Sequence, residues 1–124
     1  MRIFKTKTFA RFCRKSGIED LSLLAAVNEI LAGLIDGDLG SGVFKQRVAR
    51  QGEGKSGGFR TIVLLKLDER VLFVLGYAKK DRANIEAKQL EELRELARFT
   101  FRLEDQAVES FLEIGRWLEV KNEK

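Results

Sequence analysis

The sequence predicts an α+β fold: a small antiparallel β-sheet, formed by a short N-terminal strand and a three-stranded meander, with two N-terminal helices and further helices at the C-terminal end. Three observations carry this. Apolar residues recur at helical spacing between Phe9 and Leu34, short β-branched and aromatic runs replace them between Val43 and Ala78, and helical spacing returns from Glu86. At 124 residues and 44% apolar content, the chain is expected to form a single domain, residues 1–124. Its core is expected over about residues 1–85, with a C-terminal helical region over about 86–121.

Arg2 to Lys5 reads as a short strand. Phe9, Phe12 and Cys13 then define a first helix, interrupted at Ser16-Gly17. Asp20 is placed to cap a second helix whose apolar stripe is Leu23, Val27, Ile30, Leu31 and Leu34, ended by Asp36-Gly37. Val43–Ala49, Phe59–Leu67 and Val71–Ala78 read as strands paired in sequence order, with Asp68-Glu69-Arg70 as a tight turn. The central run from Thr61 to Leu67 is almost wholly apolar, which implies burial on both faces. After a cap at Asn84, Leu90, Leu93, Ala97 and Phe101 form one helical face, followed by Val108, Phe111, Leu112, Gly115 and Leu118. One long helix and two helices bent near Glu104-Asp105 both fit this region, and two are expected. Phe99, Phe101, Phe111 and Trp117 either close the back of the core or form a partner surface.

Charge is unevenly distributed. Lys and Arg exceed Asp and Glu by 23 to 19, and the cations dominate from Arg2 to Arg60 while the acids gather after Ile85. One end of the molecule is therefore expected to be electropositive, which suits a phosphate-bearing partner. Histidine is absent, which removes the usual Ser or Cys triads and nearly every transition-metal site, so neither a metal nor a cofactor is expected. The single cysteine, Cys13, cannot form an internal disulfide and reads as a small core residue. No apolar run reaches the length of a membrane span, and the chain reads as cytoplasmic.

Residues 52–60, Gly-Glu-Gly-Lys-Ser-Gly-Gly-Phe-Arg, form a glycine-rich turn containing Lys55 and leaving through Arg60. They match G-x-G-x-x-G literally, and Gly54-Lys55-Ser56 matches the end of a P-loop. Both nucleotide motifs fail on context. The P-loop glycine is replaced by Ala49, and a strand follows where a phosphate-binding helix would have to begin. Side chains two apart on a strand share a face, so Lys45 and Arg47 project together beside this turn. An antiparallel meander brings the end of its third strand, Tyr77 followed by Lys79, Lys80 and Arg82, to the start of its second, near Arg60 and Lys55. One concave basic site results.

The basic strand Phe44-Lys45-Gln46-Arg47-Val48-Ala49-Arg50, the Gly54-Lys55-Ser56-Gly57-Gly58-Phe59-Arg60 turn and the ending Leu75-Gly76-Tyr77-Ala78-Lys79-Lys80, in that order, resemble the RelE/HigB-type toxins of bacterial type II toxin–antitoxin systems. The resemblance covers about residues 1–85 and is strongest to the HigB-like branch. It implies a ribosome-dependent messenger-RNA endonuclease that inhibits translation without a metal. By position, it implies that Lys45, Arg47 and Lys55 border the scissile phosphate, that Arg60 neutralises it, and that Lys80 holds a basic catalytic position. Arg50, Tyr77, Lys79 and Arg82 are implied as further RNA contacts, with Tyr77 stacking on a base. Some RelE toxins carry a tyrosine a few residues past the basic ending, where this chain has Ile85 or Glu86. Cleavage through the RNA 2′-hydroxyl then needs a base, an acid and cations at phosphorus. Lys45 or Lys55 is assigned the base, its pKa lowered by crowding of like charge, Lys80 the acid and Arg60 the clamp.

The implied partners are a cognate antitoxin of the helix-turn-helix DNA-binding kind, the ribosome and messenger RNA, with no membrane. A ParE-like toxin that inhibits DNA gyrase by protein contact is the alternative from another class, and a non-catalytic RNA-binding module is the third. The basic grouping around the turn favours RNA over gyrase.

Overall fold

A computed structural model describes residues 1–49, 58–78 and 85–121. In chain order it contains β1 (Arg2–Thr6), α1 (Lys7–Ser16), α2 (Asp20–Leu31), β2 (Gly37–Asp38), β3 (Val43–Val48), β4 (Phe59–Lys66), β5 (Arg70–Ala78), α3 (Ala87–Arg102), α4 (Asp105–Glu113) and β6 (Trp117–Glu119). The strands form one sheet in the order β2-β3-β4-β5-β1-β6. The α+β class and the meander stand, but the sheet has six strands where four were expected. The N-terminal strand also runs parallel to β5 instead of antiparallel.

Helix α1 begins where the Thr6 hydroxyl accepts the Phe9 N–H at 3.1 Å, and it ends at Gly17, whose φ of 72° suits the left-handed turn. Its Phe9, Ala10 and Cys13 are buried. Helix α2 stops at Leu31, so the expected stripe is too long: Leu31 and Leu34 are exposed, and only Leu23, Val27 and Ile30 of that set enter the core. The cap of α2 is Glu19, with Asp20 already in the first turn, where its charge opposes the helix dipole favourably. The turn after β4 sits one residue earlier than the sequence suggested, since Lys66 pairs with Arg70 and Asp68 takes the positive φ. Helix α3 is capped by Glu86, because its intrahelical pairing begins there; Asn84, the expected cap, lies outside the described residues.

Two apolar layers cover the sheet. On one face, α1 and α2 pack Phe9, Cys13, Leu23, Val27 and Ile30 against Val48, Val63, Leu65, Val71 and Phe73. On the other, α3 and α4 pack Ala97 and Val108 against Val43, Ile62, Leu64, Leu72 and Trp117 of the sheet. Residues Thr61–Leu65 of β4 are consequently buried on both sides. Phe101, Phe111 and Trp117 close this second layer, with Phe111 stacked on Trp117 at 5.2 Å, whereas Phe99 stays 53% exposed.

Candidate functional site

Three strands bring the expected residues into one row. Arg47 of β3 pairs with Arg60 of β4, and Arg60 pairs with Tyr77 of β5. Residues directly opposite one another share a face, with Cβ atoms about 5 Å apart. Lys45 precedes Arg47 by two positions and shares that face with Val43, Ile62 and Leu64, the side covered by α3. The two guanidinium groups and the lysine thus project from the same side of the sheet.

Strict alternation along β5 would have separated Tyr77 from this row. The register slips between Ile62 and Val63: Val63 pairs with Phe73, but Ile62 pairs with Leu75, leaving Val74 as an extra residue. This bulge turns Leu75 and Tyr77 to the face opposite Phe73, so the two-residue alternation along β5 changes phase at Val74. Gly76 then points at Phe12 of α1, where an added Cβ would collide with the ring.

Arg47 is held in place by Asp36, whose carboxylate accepts the Arg47 backbone N–H at 2.7 Å and its Nη2 at 3.1 Å. This hydrogen bonding raises the Arg47 pKa above its ordinary value, so the group stays charged. The loop bearing Asp36 is fastened by Gln46, a fully buried side chain. Its Nε2 donates to Leu34 O at 2.9 Å and its Oε1 accepts the Asp36 N–H at 3.0 Å, while Thr61 Oγ1 donates to Gln46 O at 2.9 Å. Lys45 and Arg60 are half-buried and have no carboxylate partner among the described residues. Tyr77 is only 8% exposed and packs in the apolar layer with Ile62 and Leu64. The ring there forms part of the wall of the row.

Lys55, Lys80, Arg50, Lys79 and Arg82 lie outside the described residues. The strand ends that lead into them are together, since Val48 pairs with Phe59 and Phe59 pairs with Ala78. Among the described residues no group of His, Cys, Asp or Glu is arranged to hold a metal ion, and no helix is long and apolar enough to cross a membrane.

A family model, RelE toxin of the RelE/RelB toxin–antitoxin system, matches residues 1–120. The chain belongs to this family. The match takes in α3, α4 and β6 as well as the first 85 residues that carried the resemblance. No curated protein matches the chain. As a RelE-family chain it is the toxin of a toxin–antitoxin pair, with an antitoxin as its partner.

Two residues that hold this cationic row escaped the sequence reading. Asp36 read as a helix terminator because Asp-Gly follows an apolar stripe, and Gln46 as one polar residue of a basic strand. The available signal was the parity of β3: Gln46 alternates with Lys45 and Arg47, which places an amide on the core face, where it must find hydrogen-bond partners.

Proposed function

We propose that this RelE-family toxin is a ribosome-dependent messenger-RNA endonuclease of the HigB-like branch. The observation that carries the reading is the in-register row Arg47–Arg60–Tyr77 with Lys45 on the same face, at the sheet end from which the segments bearing Lys55 and Lys80 depart. Two cations without a carboxylate partner among the described residues, beside one fixed by Asp36, suit a phosphodiester that gains charge during reaction.

In this reading the RNA 2′-oxygen attacks phosphorus as Lys45 or Lys55 takes its proton. The bond from phosphorus to the 5′-oxygen breaks, and Lys80 protonates that leaving oxygen, giving a 2′,3′-cyclic phosphate and a 5′-hydroxyl. Arg60, permanently charged and able to make two parallel hydrogen bonds, neutralises the phosphoryl oxygens. The antitoxin is of the helix-turn-helix DNA-binding kind, and the toxin acts in the cytoplasm where ribosomes carry their transcripts.

The test is transcript cleavage on translating ribosomes by folded Arg60→Ala and Lys55→Ala proteins, mapped by primer extension. Loss of an electrostatic or proton-transfer group lowers the rate about a hundredfold or more. Undiminished cleavage by both variants removes this site. Gyrase inhibition without cleavage by the native protein replaces the reading with the ParE-like one.

A further inference from the structure

Strand β2 is two residues long, so it pairs with the outer edge of β3 only opposite Lys45 and Phe44, and of these Lys45 turns its backbone groups outward. Beyond it, the next outward-facing N–H of β3 belongs to Arg47 and is met by the Asp36 side chain instead of a backbone carbonyl. The same carboxylate continues to the Arg47 guanidinium, so one acid fixes both ends of that residue. The acid is itself fixed. Buried Gln46 grips the loop at Leu34 and Asp36, and Thr61, paired beside it on β4, grips Gln46. Such a satisfied buried network leaves the loop little freedom.

We propose that Asp36 is a positioning residue for RNA cleavage: it orients Arg47 beside Arg60 and, through its negative charge, weakens ground-state binding of the RNA. The inference rests on the endonuclease reading above. An arginine tethered at its backbone and its Nη2 arrives at the phosphate with its remaining N–H groups already aimed, which favours the transition state over loose attraction. A carboxylate next to the cationic row also repels substrate phosphate, and that penalty falls on binding. Removing the charge therefore has opposite effects on rate and on affinity. A purely structural residue does not produce that division.

The experiment uses the full chain with Asp36→Asn, Asp36→Glu, Arg47→Ala and the Asp36→Asn/Arg47→Ala pair. Asparagine keeps the shape but offers one acceptor where the carboxylate offers two. Single-turnover cleavage is measured on programmed ribosomes, and affinity is measured with a 2′-O-methyl RNA oligonucleotide that cannot be cut. For Asp36→Asn the rate falls about tenfold to a hundredfold while the oligonucleotide binds about twofold to tenfold more tightly. Asp36→Glu recovers part of the rate, and the double variant is no slower than Arg47→Ala alone, because the two act as one unit. The inference is overturned if Asp36→Asn leaves the rate unchanged, if rate and affinity fall together, or if the two losses add. Arg60→Ala separates the two levels. Full cleavage by that variant and by Lys55→Ala removes the endonuclease site itself, whereas failure of Arg60→Ala to cut beside an unaffected Asp36→Asn removes only the role of Asp36.

Discussion

Gly76→Ala tests the bulged register directly. A methyl at residue 76 would run into Cε2 and Cδ2 of Phe12 and lie 3.0 Å from its Cζ. The ring cannot simply swing away, because it packs edge-on against Phe59 at 5.3 Å and against Phe9 at 6.0 Å between centroids. Overpacking of this kind costs about 1–3 kcal/mol. Alanine in place of a strand glycine returns about 0.5–1 kcal/mol of backbone entropy, so the net loss should be up to about 2.5 kcal/mol, with a midpoint of about 1 kcal/mol. Replacing Phe12 by leucine removes the colliding ring edge, and on that background Gly76→Ala should become neutral or stabilising by about 0.5 kcal/mol. Urea unfolding of the four proteins of this cycle gives the coupling, provided their slopes agree. An equal cost of Gly76→Ala on both backgrounds would refute the placement of Gly76 against Phe12, and with it the bulge at Val74.

Three further outcomes follow from single side chains. Burial pushes the Cys13 thiol up to about 11, so an aromatic disulfide reagent at pH 8 should label it only at the rate of unfolding; labelling as fast as a free thiol contradicts this. The hydrogen bond from Arg2 holds the Glu119 carboxylate below its usual range. Its contribution is therefore complete above the unfolded value of about 4.3 and is lost as pH falls through the lower folded value. Glu119→Gln should flatten that acid limb and cost about 0.5 kcal/mol at neutral pH, since the pair is substantially exposed; urea midpoints between pH 3 and 7 that match the native protein's would exclude it. Thr100 is 1% exposed and its Oγ1 is the one buried side-chain polar atom without a partner among the described residues. Thr100→Val should thus be neutral or stabilising by up to about 1 kcal/mol, and a clear loss in urea would show that the hydroxyl is bonded.

Long-period features were legible in the sequence, and short ones were not. The near-continuous apolar run of β4 announced a strand buried on both faces, and the polar Glu104-Asp105 step announced the break between α3 and α4. Strands β2 and β6 hold two and three residues, too few for any period; their conformation is imposed by β3 and β1. Leu31 and Leu34 continue the stripe of α2 on paper, but Gly33 at φ 85° ends the helix between them, and both face solvent. Parity placed Lys45 and Arg47 on one face, and the meander placed Tyr77 near Arg60, as their pairing shows. The face that Tyr77 turns to was not legible, because a bulge is a property of the pair of strands and not of either one.

Register also explains why the cationic row is tied to the opposite face of the sheet. Behind Arg47, Arg60 and Tyr77 lies a second row, Gln46, Thr61 and Gly76, which is likewise in register and faces the other way. Each member of the hidden row has a fixed neighbour: Gln46 holds the Asp36 loop, Thr61 holds Gln46, and Gly76 accommodates Phe12. A slip of one residue between β4 and β5 would exchange the rows, driving Tyr77 toward a ring that does not admit even a methyl group. The contacts that enforce the front row are therefore core contacts on its reverse side. Cations that repel one another need such enforcement, because nothing in their own interaction would keep Arg47 beside Arg60.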